Sequence, residues 1–416
     1  MAVDLSQVAH VETEPGELPA TMAAWVIRQD REGEPIDAFQ VEEIEVPEPA
    51  AFEVIVRVMA AGVNFNNVWA ARGVPVSVFR SHPEVDHHIG GSDGSGIVWK
   101  VGAGVTRWKP GDEVVIHCNQ ASYEDPEVHG FDPLAAPSQK IWGYETSWGS
   151  FAQFTKVQAQ QLLPKPHNLT WEESAAYGLT YFTAYRMLID QCELQAGHRV
   201  LIWGAAGGLG VFATQLCKIA GARSVGVVNS DEKGELVARL GAEGFINRNE
   251  FAGMMRTGGE TPEEEKARFG ESRRFGKAVK EILGASPDIV FEHVGQATFP
   301  TSVFVVKPFG KVVICAGTTG YNLDFDVRYL WMRQKQIIGS HFANAWECNK
   351  ANELIENGLI RPVLWRTMPF DGVGEAHQLM RENKHLGKIA ILVGAEREGL
   401  GKTAEGPGAI YAEVGV

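Results

Sequence analysis

Three asparagines lie within four residues of VMAAGVNFNNVW, residues 58–69, directly after an apolar run that predicts a buried strand. They are Asn64, Asn66 and Asn67. A neutral carboxamide neither attacks as a nucleophile nor takes up a proton, and it binds metals poorly. It can donate a hydrogen bond without giving up a proton. Its ordinary role after a strand is to cap the start of a helix, and this alternative stays open for Asn66.

A glycine-rich turn stands between an apolar strand and a helix in VLIWGAAGGLG. Its glycines are Gly204, Gly207, Gly208 and Gly210. Glycines in this context let the backbone approach a pyrophosphate, which then sits at the positive end of the helix. Similar turns also serve tight packing of a helix on a strand, but the strand and the helix on either side favour nucleotide binding.

The next strand ends at VVNSDEK, where the identity of the nucleotide is decided. An acidic residue there would hold the adenosine ribose and repel a 2′-phosphate, whereas Ser230, Lys233 and Arg248 could hold that phosphate. Asp231 follows at once, so a shift of one residue would favour NADH. A solvated turn is the alternative role for the two cations. The sequence favours NADPH as the cofactor.

The chain has 416 residues, a formal net charge of −14 and 44% hydrophobic residues. This length is sufficient for two domains, and the negative charge argues against nucleic acid as a partner. No apolar run approaches the ~20 residues of a membrane span, and the acidic N-terminus lacks a signal core. We expect a cytoplasmic protein whose N-terminal segment is a poorly ordered lead-in. Scattered cysteines without a CxxC pair favour reduced thiols over disulfides; they are Cys118, Cys192, Cys217, Cys315 and Cys348.

The pattern of predicted strands changes along the chain. Residues 22–165 contain short strands joined by Gly and Pro turns, with a polar surface insertion at residues 119–140. From RVLIWG onward, apolar strands alternate with helices, with an inserted helical segment at residues 251–280. This alternation predicts a parallel, doubly wound sheet and an α/β fold class. We expect a β-rich domain at residues 1–175, a nucleotide domain at 176–343, and a return of 344–416 to the first domain.

This order of domains resembles the medium-chain dehydrogenase/reductase superfamily, which implies a GroES-like β-rich catalytic domain and a Rossmann nucleotide domain. Zinc alcohol dehydrogenases of this kind carry a Cys near the position of Asn64. They also carry a Gly-His-Glu motif where this chain has Ser92 and Asp93 in GSDGSG. Catalytic zinc needs three protein ligands, mostly N or S, so we predict no metal. The histidines of HPEVDHH could bind one, but a surface loop is favoured; they are His82, His87 and His88.

Further motifs resemble the crotonyl-CoA carboxylase/reductases, a zinc-free branch of that superfamily. They are IWGYET, PDIVFEHVG and IIGSHFAN, together with the asparagine segment and the glycine turn. The resemblance implies that Asn66 donates a hydrogen bond to a CO2 oxygen. His341 would act through an ordered water that Glu145 helps to hold, and Tyr144 would limit the entry of further water. An ordinary core position is the alternative for His341 and for Tyr144, and Glu145 has a turn or interface position as its alternative.

The same resemblance implies roles at the cofactor and at coenzyme A. Thr183, in LTYFTAY, and His293, in FEHVG, would lie at the nicotinamide cofactor. Arg328, in DVRYLW, would bind phosphates of CoA, and its alternative is a surface ion pair. Edge strands of the nucleotide domain pair between subunits in this superfamily, so a homodimer or a homotetramer is expected.

The implied reaction adds a hydride from NADPH to the β-carbon of crotonyl-CoA. The resulting enolate is nucleophilic at its α-carbon, where CO2 would add to give ethylmalonyl-CoA. An acidic side chain at that place would protonate the enolate, which is why a neutral amide suits the site. One alternative is an enoyl-CoA reductase without useful carboxylation, and another is a non-catalytic NADPH-binding protein.

Three positions depart from the family's pattern. Tyr144 stands where Phe can occur, Val294 stands where Pro is expected, and KPFG, residues 307–310, replaces a Gly-Gly turn. The hydroxyl of Tyr144 adds a polar group where water should be excluded. Val294 is expected to alter the turn beside the nicotinamide.

Overall fold

A computed structural model of the chain describes residues 4–412. The chain forms two compact units. The first contains the described residues up to Phe182 together with those from Ala343 onward, and the second is Thr183–Phe342. Within residues 4–412, no helix is both long enough and apolar enough to cross a membrane.

The strands of the described residues are mostly short. In chain order they are β1 (Thr21–Ile27), β2 (Gln40–Glu45), β3 (Glu53–Gly62), β4 (His88–Ile89), β5 (Asp93–Val101), β6 (Glu113–Ile116), β7 (Asn119–Gln120), β8 (Lys140–Ile141), β9 (Phe154–Gln158), β10 (Leu162–Pro164), β11 (Arg199–Ile202), β12 (Arg223–Val228), β13 (Gly244–Asn247), β14 (Ile289–Glu292), β15 (Lys311–Ile314), β16 (Gln336–Gly339), β17 (Val363–Met368), β18 (Lys388–Leu392) and β19 (Ile410–Tyr411).

The helices range from single turns to 22 residues. In chain order they are α1 (Pro35–Ala38), α2 (Phe65–Ala71), α3 (Val78–Ser81), α4 (Pro126–Gly130), α5 (Trp171–Ser174), α6 (Gly178–Tyr185), α7 (Gly208–Ile219), α8 (Asp231–Leu240), α9 (Pro262–Leu283), α10 (Phe299–Val305), α11 (Arg328–Trp331), α12 (Ala345–Glu356) and α13 (Val373–Arg381). A π-helical segment at Arg186–Gln191 continues α6.

The first unit is built from mostly antiparallel sheets. Its largest sheet has the order β10-β6-β5-β3-β18-β17-β19, with β9 also paired to β3, and smaller sheets are formed by β2-β1-β4 and by β7-β8. Strand β18 pairs with β3 through Ala390↔Gly62 and Ile391↔Ala61. The segment after residue 343 therefore completes the sheet that the first 182 residues begin.

Strand β3 positions the asparagine segment. Most of its residues are buried, because β5, β9 and β18 pair with it. At its end, a Cβ on Gly62 would lie 2.1 Å from the carbonyl oxygen of Ala175 and 2.7 Å from Cβ of Asp93. Only glycine fits this crossing, and the chain then turns into α2.

The second unit contains a six-stranded sheet in the order β13-β12-β11-β14-β15-β16, and all its strand pairs are parallel. Parallel neighbours need crossover connections, which the helices of this unit supply. The strand order reverses between β11 and β14, and open sheets of this kind bind ligands beyond the carboxyl ends of their strands at such a point. The predicted α/β fold class, with a β-rich domain and a parallel nucleotide domain, is confirmed.

The helical segment predicted at residues 251–280 is confirmed in kind, with later bounds. It is mainly α9, which begins after a capping box between Thr261 and Glu264 and ends at Gly284, whose φ is +78°. In the box, the Thr261 hydroxyl accepts from the Glu264 N–H, and the Glu264 carboxylate accepts from the Thr261 N–H. Such a box satisfies backbone donors that the first helical turn leaves without partners.

The N-terminal segment corrects one expectation. The prediction of a poorly ordered lead-in is wrong for the residues around Val8, which is only 3% exposed. Arg57 on β3 donates from Nη2 to the carbonyl oxygens of Val8, at 2.8 Å, and Ala9, at 3.1 Å. Burial lowers the pKa of Arg57 to about 10. A buried guanidinium needs acceptors, and the N-terminal backbone supplies them.

Candidate active site

Two of the three asparagines have structural roles. Asn64 is the N-cap residue of α2, but its side chain does not cap the helix; its Oδ1 accepts from the ammonium of Lys388. Asn67 joins two loops, because its Nδ2 donates to the carbonyl oxygen of Gly143 at 2.7 Å and its Oδ1 accepts from the N–H of Gly91 at 3.1 Å. Both amides are therefore held by groups of the first unit.

Asn66 lies inside the first turn of α2, so the helix-capping alternative for this residue is wrong. Its side chain is buried, and its Nδ2 donates to the hydroxyl of Ser92 at 2.8 Å. Its Oδ1 is buried and has no hydrogen-bond partner in the described part of the chain. Buried polar groups nearly always have a partner, so this oxygen marks a position where a further group is needed.

Lys388, which donates to Asn64, also forms a buried ion pair with Asp93. The Nζ of Lys388 is 2.8 Å from Oδ2 of Asp93 and donates to the carbonyl oxygen of Val63 at 3.0 Å. The other carboxylate oxygen of Asp93 accepts from the N–H of Leu179 in the first turn of α6. Burial lowers the pKa of Lys388, and the charge of Asp93 opposes this shift. The sequence analysis did not identify Lys388. The pattern that could have indicated it is a lysine as the first residue of KIAIL, an otherwise apolar and buried strand.

Tyr144 and Glu145 lie on a tight turn that follows β8. The carboxylate of Glu145 accepts from the N–H of Ile141 at 2.8 Å, so one of its oxygens holds the turn. The ring of Tyr144 is half-buried, with its centroid 6.5 Å from that of Trp69 on α2. Gly143 has a φ of +71°, and a Cβ there would lie 2.0 Å from a carbonyl oxygen of the neighbouring loop. The turn is therefore packed closely against the Asn66 region.

His341 and Thr183 belong to the second unit, whereas Asn66, Tyr144 and Glu145 belong to the first. His341 follows the end of β16, and its side chain is exposed, so the core alternative for this histidine is wrong. Thr183 is buried on α6. The structure thus brings together three of the four predicted catalytic residues within one unit.

The glycine turn has the predicted strand–turn–helix context. Gly204 has a φ of +56°, and its carbonyl oxygen accepts from the N–H of Gly207, the N-cap residue of α7. Gly208 is the first residue of this helix. A Cβ on Gly210 would lie 2.4 Å from Cα of Ala205, so this glycine permits close packing of α7 on the strand end. Gly207 and Gly208 are only partly buried, so the N-terminus of α7 is exposed enough for a pyrophosphate to reach it.

His293 lies against this turn. Its ring is 2.8 Å from the position that a Cβ on Gly204 would occupy, and its Nε2 donates to the carbonyl oxygen of Trp203 at 2.9 Å. Burial lowers the pKa of His293 and so favours its neutral form, while the hydrogen bond to Trp203 opposes this shift. The preceding Glu292 is fully buried, and its carboxylate accepts from the N–H of Val294 at 2.8 Å. A proline at position 294 would lack this N–H, which gives the departure from the family's pattern a structural consequence.

Of the predicted phosphate-binding residues, Ser230 and Lys233 follow the end of β12, and Arg248 follows the end of β13. Ser230 is the N-cap residue of α8 and accepts from the N–H of Lys233 at 3.4 Å. Asp231 is already in the helix, and its carboxylate accepts from Nδ2 of Asn247 at 3.0 Å. Burial lowers the pKa of Lys233, and the nearby charge of Arg248 lowers it further. Two neighbouring cations beyond the ends of β12 and β13 favour an anionic ligand, and neither Asn229 nor Ser230, the two residues after β12, is acidic.

A basic cavity lies elsewhere in the second unit. Its volume is about 540 Å³, and Phe304 and Tyr329 contribute aromatic surface. The cations that line it are Arg273, Lys277, Lys280, Lys307, Arg333 and Lys335. Arg328 precedes Tyr329 on α11 but is exposed and paired with Asp326, with 2.6 Å between Nη2 and Oδ2. The surface-pair alternative therefore describes Arg328 in this structure, and the sequence reasoning missed the larger group of cations beside it.

The histidines of HPEVDHH do not form one surface loop. His82 and His87 pair with acidic neighbours, but His88 is fully buried on β4, so the surface-loop prediction is wrong for His88. Burial lowers the pKa of His88 to about 4. Among residues 4–412, no group of three or more His, Cys, Asp or Glu side chains is arranged to hold a metal ion.

Comparison with known proteins gives the class and then the family. Residues 50–167 match the alcohol dehydrogenase GroES-like domain, and residues 208–357 match the zinc-binding dehydrogenase model. The chain is thus built as a dehydrogenase of the two-domain alcohol dehydrogenase type. It is 51% identical to a crotonyl-CoA carboxylase/reductase of Cereibacter sphaeroides, covering 92% of this chain and 90% of that protein. The chain belongs to the crotonyl-CoA carboxylase/reductase family.

Two further relatives are similar over most of their length. The crotonyl-CoA reductase of Streptomyces collinus is 42% identical, covering 90% of this chain and 86% of that protein. The structure of AntE, a crotonyl-CoA carboxylase/reductase in complex with NADP, matches with a TM-score of 0.89 at 45% identity. That match covers 95% of this chain and 99% of AntE.

Proposed function

We propose that the protein converts crotonyl-CoA, CO2 and NADPH to ethylmalonyl-CoA. The observation that carries this proposal is the buried carboxamide of Asn66, which is held by the neutral hydroxyl of Ser92 and has one end, occupied by Oδ1 in the structure, without a partner among residues 4–412. A neutral amide can hold CO2, which only accepts hydrogen bonds, without protonating a nearby carbanion. The 51% identity to a crotonyl-CoA carboxylase/reductase supports the same conclusion.

In the proposed reaction, each of the predicted residues has a separate role. NADPH, when bound, supplies the hydride that adds to the β-carbon and leaves an enolate. Asn66 donates to one oxygen of CO2 while the α-carbon forms a bond to the carbon of CO2, which becomes the new carboxylate. Tyr144 shields the enolate from water, Glu145 helps to hold an ordered water that contacts CO2, and the role proposed for His341 is to act through an ordered water. Fixed donors of this kind are most effective where bulk water is excluded.

NADPH as the cofactor is supported by the second unit. The glycine turn offers backbone N–H groups at the N-terminus of α7, which suits a pyrophosphate. Ser230, Lys233 and Arg248 offer a hydroxyl and two cations where a 2′-phosphate would lie. His293 packs under Gly204 and so acts by shaping the turn. The similar AntE structure contains NADP.

Coenzyme A as the carrier of the substrate is supported by the basic cavity. The chain has a net charge of −14, so a ligand with several phosphates needs a local concentration of cations. The cavity provides six cationic side chains and the rings of Phe304 and Tyr329, which suit phosphates and an adenine. Arg328, on the same helix as Tyr329, would exchange Asp326 for a phosphate of CoA.

The test mixes the purified protein with NADPH and crotonyl-CoA, with and without bicarbonate plus carbonic anhydrase. Mass spectrometry then identifies the acyl-CoA products. Ethylmalonyl-CoA as the main product in the presence of CO2 is the expected result. Asn66→Ala should lose most of the carboxylation while NADPH-dependent reduction to butyryl-CoA continues. Butyryl-CoA in both reactions of the unsubstituted protein would contradict the proposal.

A second candidate is an enoyl-CoA reductase without useful carboxylation. It is favoured by the hydroxyl of Tyr144, a polar group on a half-buried ring, and by the 42% identity to a crotonyl-CoA reductase. Tyr144→Phe separates the two candidates, because removing the hydroxyl should raise the ratio of ethylmalonyl-CoA to butyryl-CoA if water entry limits carboxylation. An unchanged ratio would remove the hydroxyl from consideration.

We also propose that the protein is a homodimer or a homotetramer of the cytoplasm. Strand β16 ends the parallel sheet, and an end strand exposes backbone groups that can pair with a second copy. Its Ile337 is 38% exposed, and Trp331 and Met332 are exposed nearby in the sequence. Light scattering should give at least twice 45.5 kDa for the protein and a lower mass for Ile337→Lys. A monomeric mass before substitution would refute this assembly.

A further inference from the structure

Asn66 differs from its two neighbours in the kind of group that holds its amide. Asn64 Oδ1 faces an ammonium, which only donates, and Asn67 bonds to a carbonyl oxygen and a backbone N–H. Each of these partners can only donate or only accept, so each determines whether the oxygen or the nitrogen of the amide faces it. Asn66 alone is held by a hydroxyl, that of Ser92, which can both donate and accept. The carboxamide of Asn66 therefore has two orientations that satisfy the same partner.

The two orientations present different atoms at the position without a partner. In the structure, Nδ2 donates to Ser92, and Oδ1 is buried without a partner among the described residues. After a half-turn of the amide, the hydroxyl of Ser92 donates to Oδ1, and Nδ2 takes the vacant position as a donor. The distance of 2.8 Å between the amide and the hydroxyl suits either arrangement. Only the second arrangement places a donor at the position that lacks a partner, and the oxygens of CO2 only accept.

We propose that Ser92 is a positioning residue for carboxylation, because its hydroxyl, by donating to Oδ1, stabilises the orientation of Asn66 that presents Nδ2 to CO2. This inference rests on the proposed reductive carboxylation. The arrangement also commits the Ser92 proton to Oδ1 of Asn66, so that the hydroxyl does not face the enolate as a donor. Ser92 is completely buried, which keeps water from replacing it as the partner of the amide.

Ser92→Ala tests the role directly. Without the hydroxyl, Oδ1 loses its donor in the orientation that presents Nδ2, and the KM for dissolved CO2 should rise about five- to tenfold, the effect of one neutral hydrogen bond. The share of butyryl-CoA in the product should rise in parallel. The KM values for crotonyl-CoA and NADPH should stay within about twofold, because neither ligand depends on this hydrogen bond. Ser92→Cys keeps a side chain of similar size with a weak donor, so its KM for CO2 should lie between the values of the unsubstituted protein and of Ser92→Ala.

Ser95 offers a matched control on β5. It is also completely buried, and its hydroxyl donates to the carbonyl oxygen of Trp171 at 2.7 Å. Ser95→Ala removes one buried hydroxyl three residues from Ser92, so it should affect thermal stability to a similar degree. It should leave the KM for CO2 and the product ratio unchanged, which separates an effect on stability from an effect on the amide.

The double substitution Asn66→Ala/Ser92→Ala completes the test. If Ser92 acts through the amide, it should have no further effect on the product ratio once that amide is absent. A folded Ser92→Ala or Ser92→Cys protein with the original KM for CO2 would overturn the inference, as would an additive double variant. If the unsubstituted protein forms no ethylmalonyl-CoA at all, the proposed function fails and this inference fails with it. Carboxylation that persists unchanged in Ser92→Ala refutes the inference alone.

Discussion

Removal of Lys388 should destabilise the first unit strongly. Its ammonium and the carboxylate of Asp93 are 1% and 0% exposed, and 2.8 Å separates Nζ from Oδ2. Lys388→Met leaves the Asp93 carboxylate buried and removes its bond to the ammonium, while the hydrogen bond from the N–H of Leu179 remains. Leaving one member of a buried pair without its partner costs about 3–5 kcal/mol. This is a large part of the ~5–15 kcal/mol that usually separates a folded domain from its unfolded chain.

The size of the effect can be measured by calorimetry. For units of this size, 1 kcal/mol lowers the melting temperature by about 2–4 °C, so Lys388→Met should melt about 10 °C lower. Asp93→Asn/Lys388→Met should recover most of the loss, because neither charge remains buried and the asparagine still accepts from Leu179. The two single changes should therefore be strongly non-additive.

A surface lysine provides the control for this prediction. Lys100 is 2.6 Å from a carboxylate oxygen of Glu48, but the side chains are 34% and 68% exposed. Lys100→Met should change the unfolding free energy by about 0.5 kcal/mol or less, because exposed pairs contribute little. If Lys388→Met melts within about 2 °C of the original protein, or if the double variant equals the sum of its singles, the reasoning on the buried pair is refuted.

Three further predictions concern other residues. Phe309 is 63% exposed at a φ of +60°, so Phe309→Gly should raise the unfolding free energy by about 0.5–1 kcal/mol, measured by urea denaturation, and a loss of stability would contradict this. Burial lowers the pKa of His88, His117 and His377 from 6.5 to about 4. The unfolded chain therefore takes up these protons at a higher pH than the folded chain does, and the free energy of unfolding decreases as the pH falls from about 6.5 towards 4. Denaturation should show a loss of roughly 1 kcal/mol for each histidine between about pH 7 and about pH 5.5, and His377→Leu should reduce that loss; an equal loss in both proteins would count against it. Lys233→Ala should raise the KM for NADPH about tenfold and leave that for NADH unchanged in steady-state assays, whereas equal changes would argue against a 2′-phosphate site.

Local patterns in the sequence were sufficient for the fold class. The alternation of apolar strands and helices after residue 199 predicts the parallel sheet, because buried strands and crossover helices leave a regular trace in the sequence. The ordered segment around Val8 was not predicted, because its order depends on a guanidinium 49 residues away in the chain. A hydrogen bond to Arg57 leaves no local signal in the acidic N-terminus.

The candidate site was predictable only in part. The family resemblance pointed to Asn66, Tyr144 and Glu145, which the structure places in one unit, and their catalytic roles stay predictions. The partner of Asn64 was not predictable, because Lys388 is 324 residues away and reaches it only through the pairing of β18 with β3. The basic cavity was missed for a similar reason, since its cations come from separate elements of the second unit.

The side chain of Asn67 has a consequence for how such proteins diverge. By joining Gly91 to Gly143, it fixes the backbone that carries Tyr144 relative to the helix that carries Asn66. Replacement of Tyr144 or its neighbour can then change what surrounds the reacting carbon while the main chain stays in place. Single substitutions at these positions could therefore shift a protein between carboxylation and simple reduction of its substrate while the backbone stays unchanged. Directed evolution of the product ratio should therefore keep Asn67 and vary the positions around it.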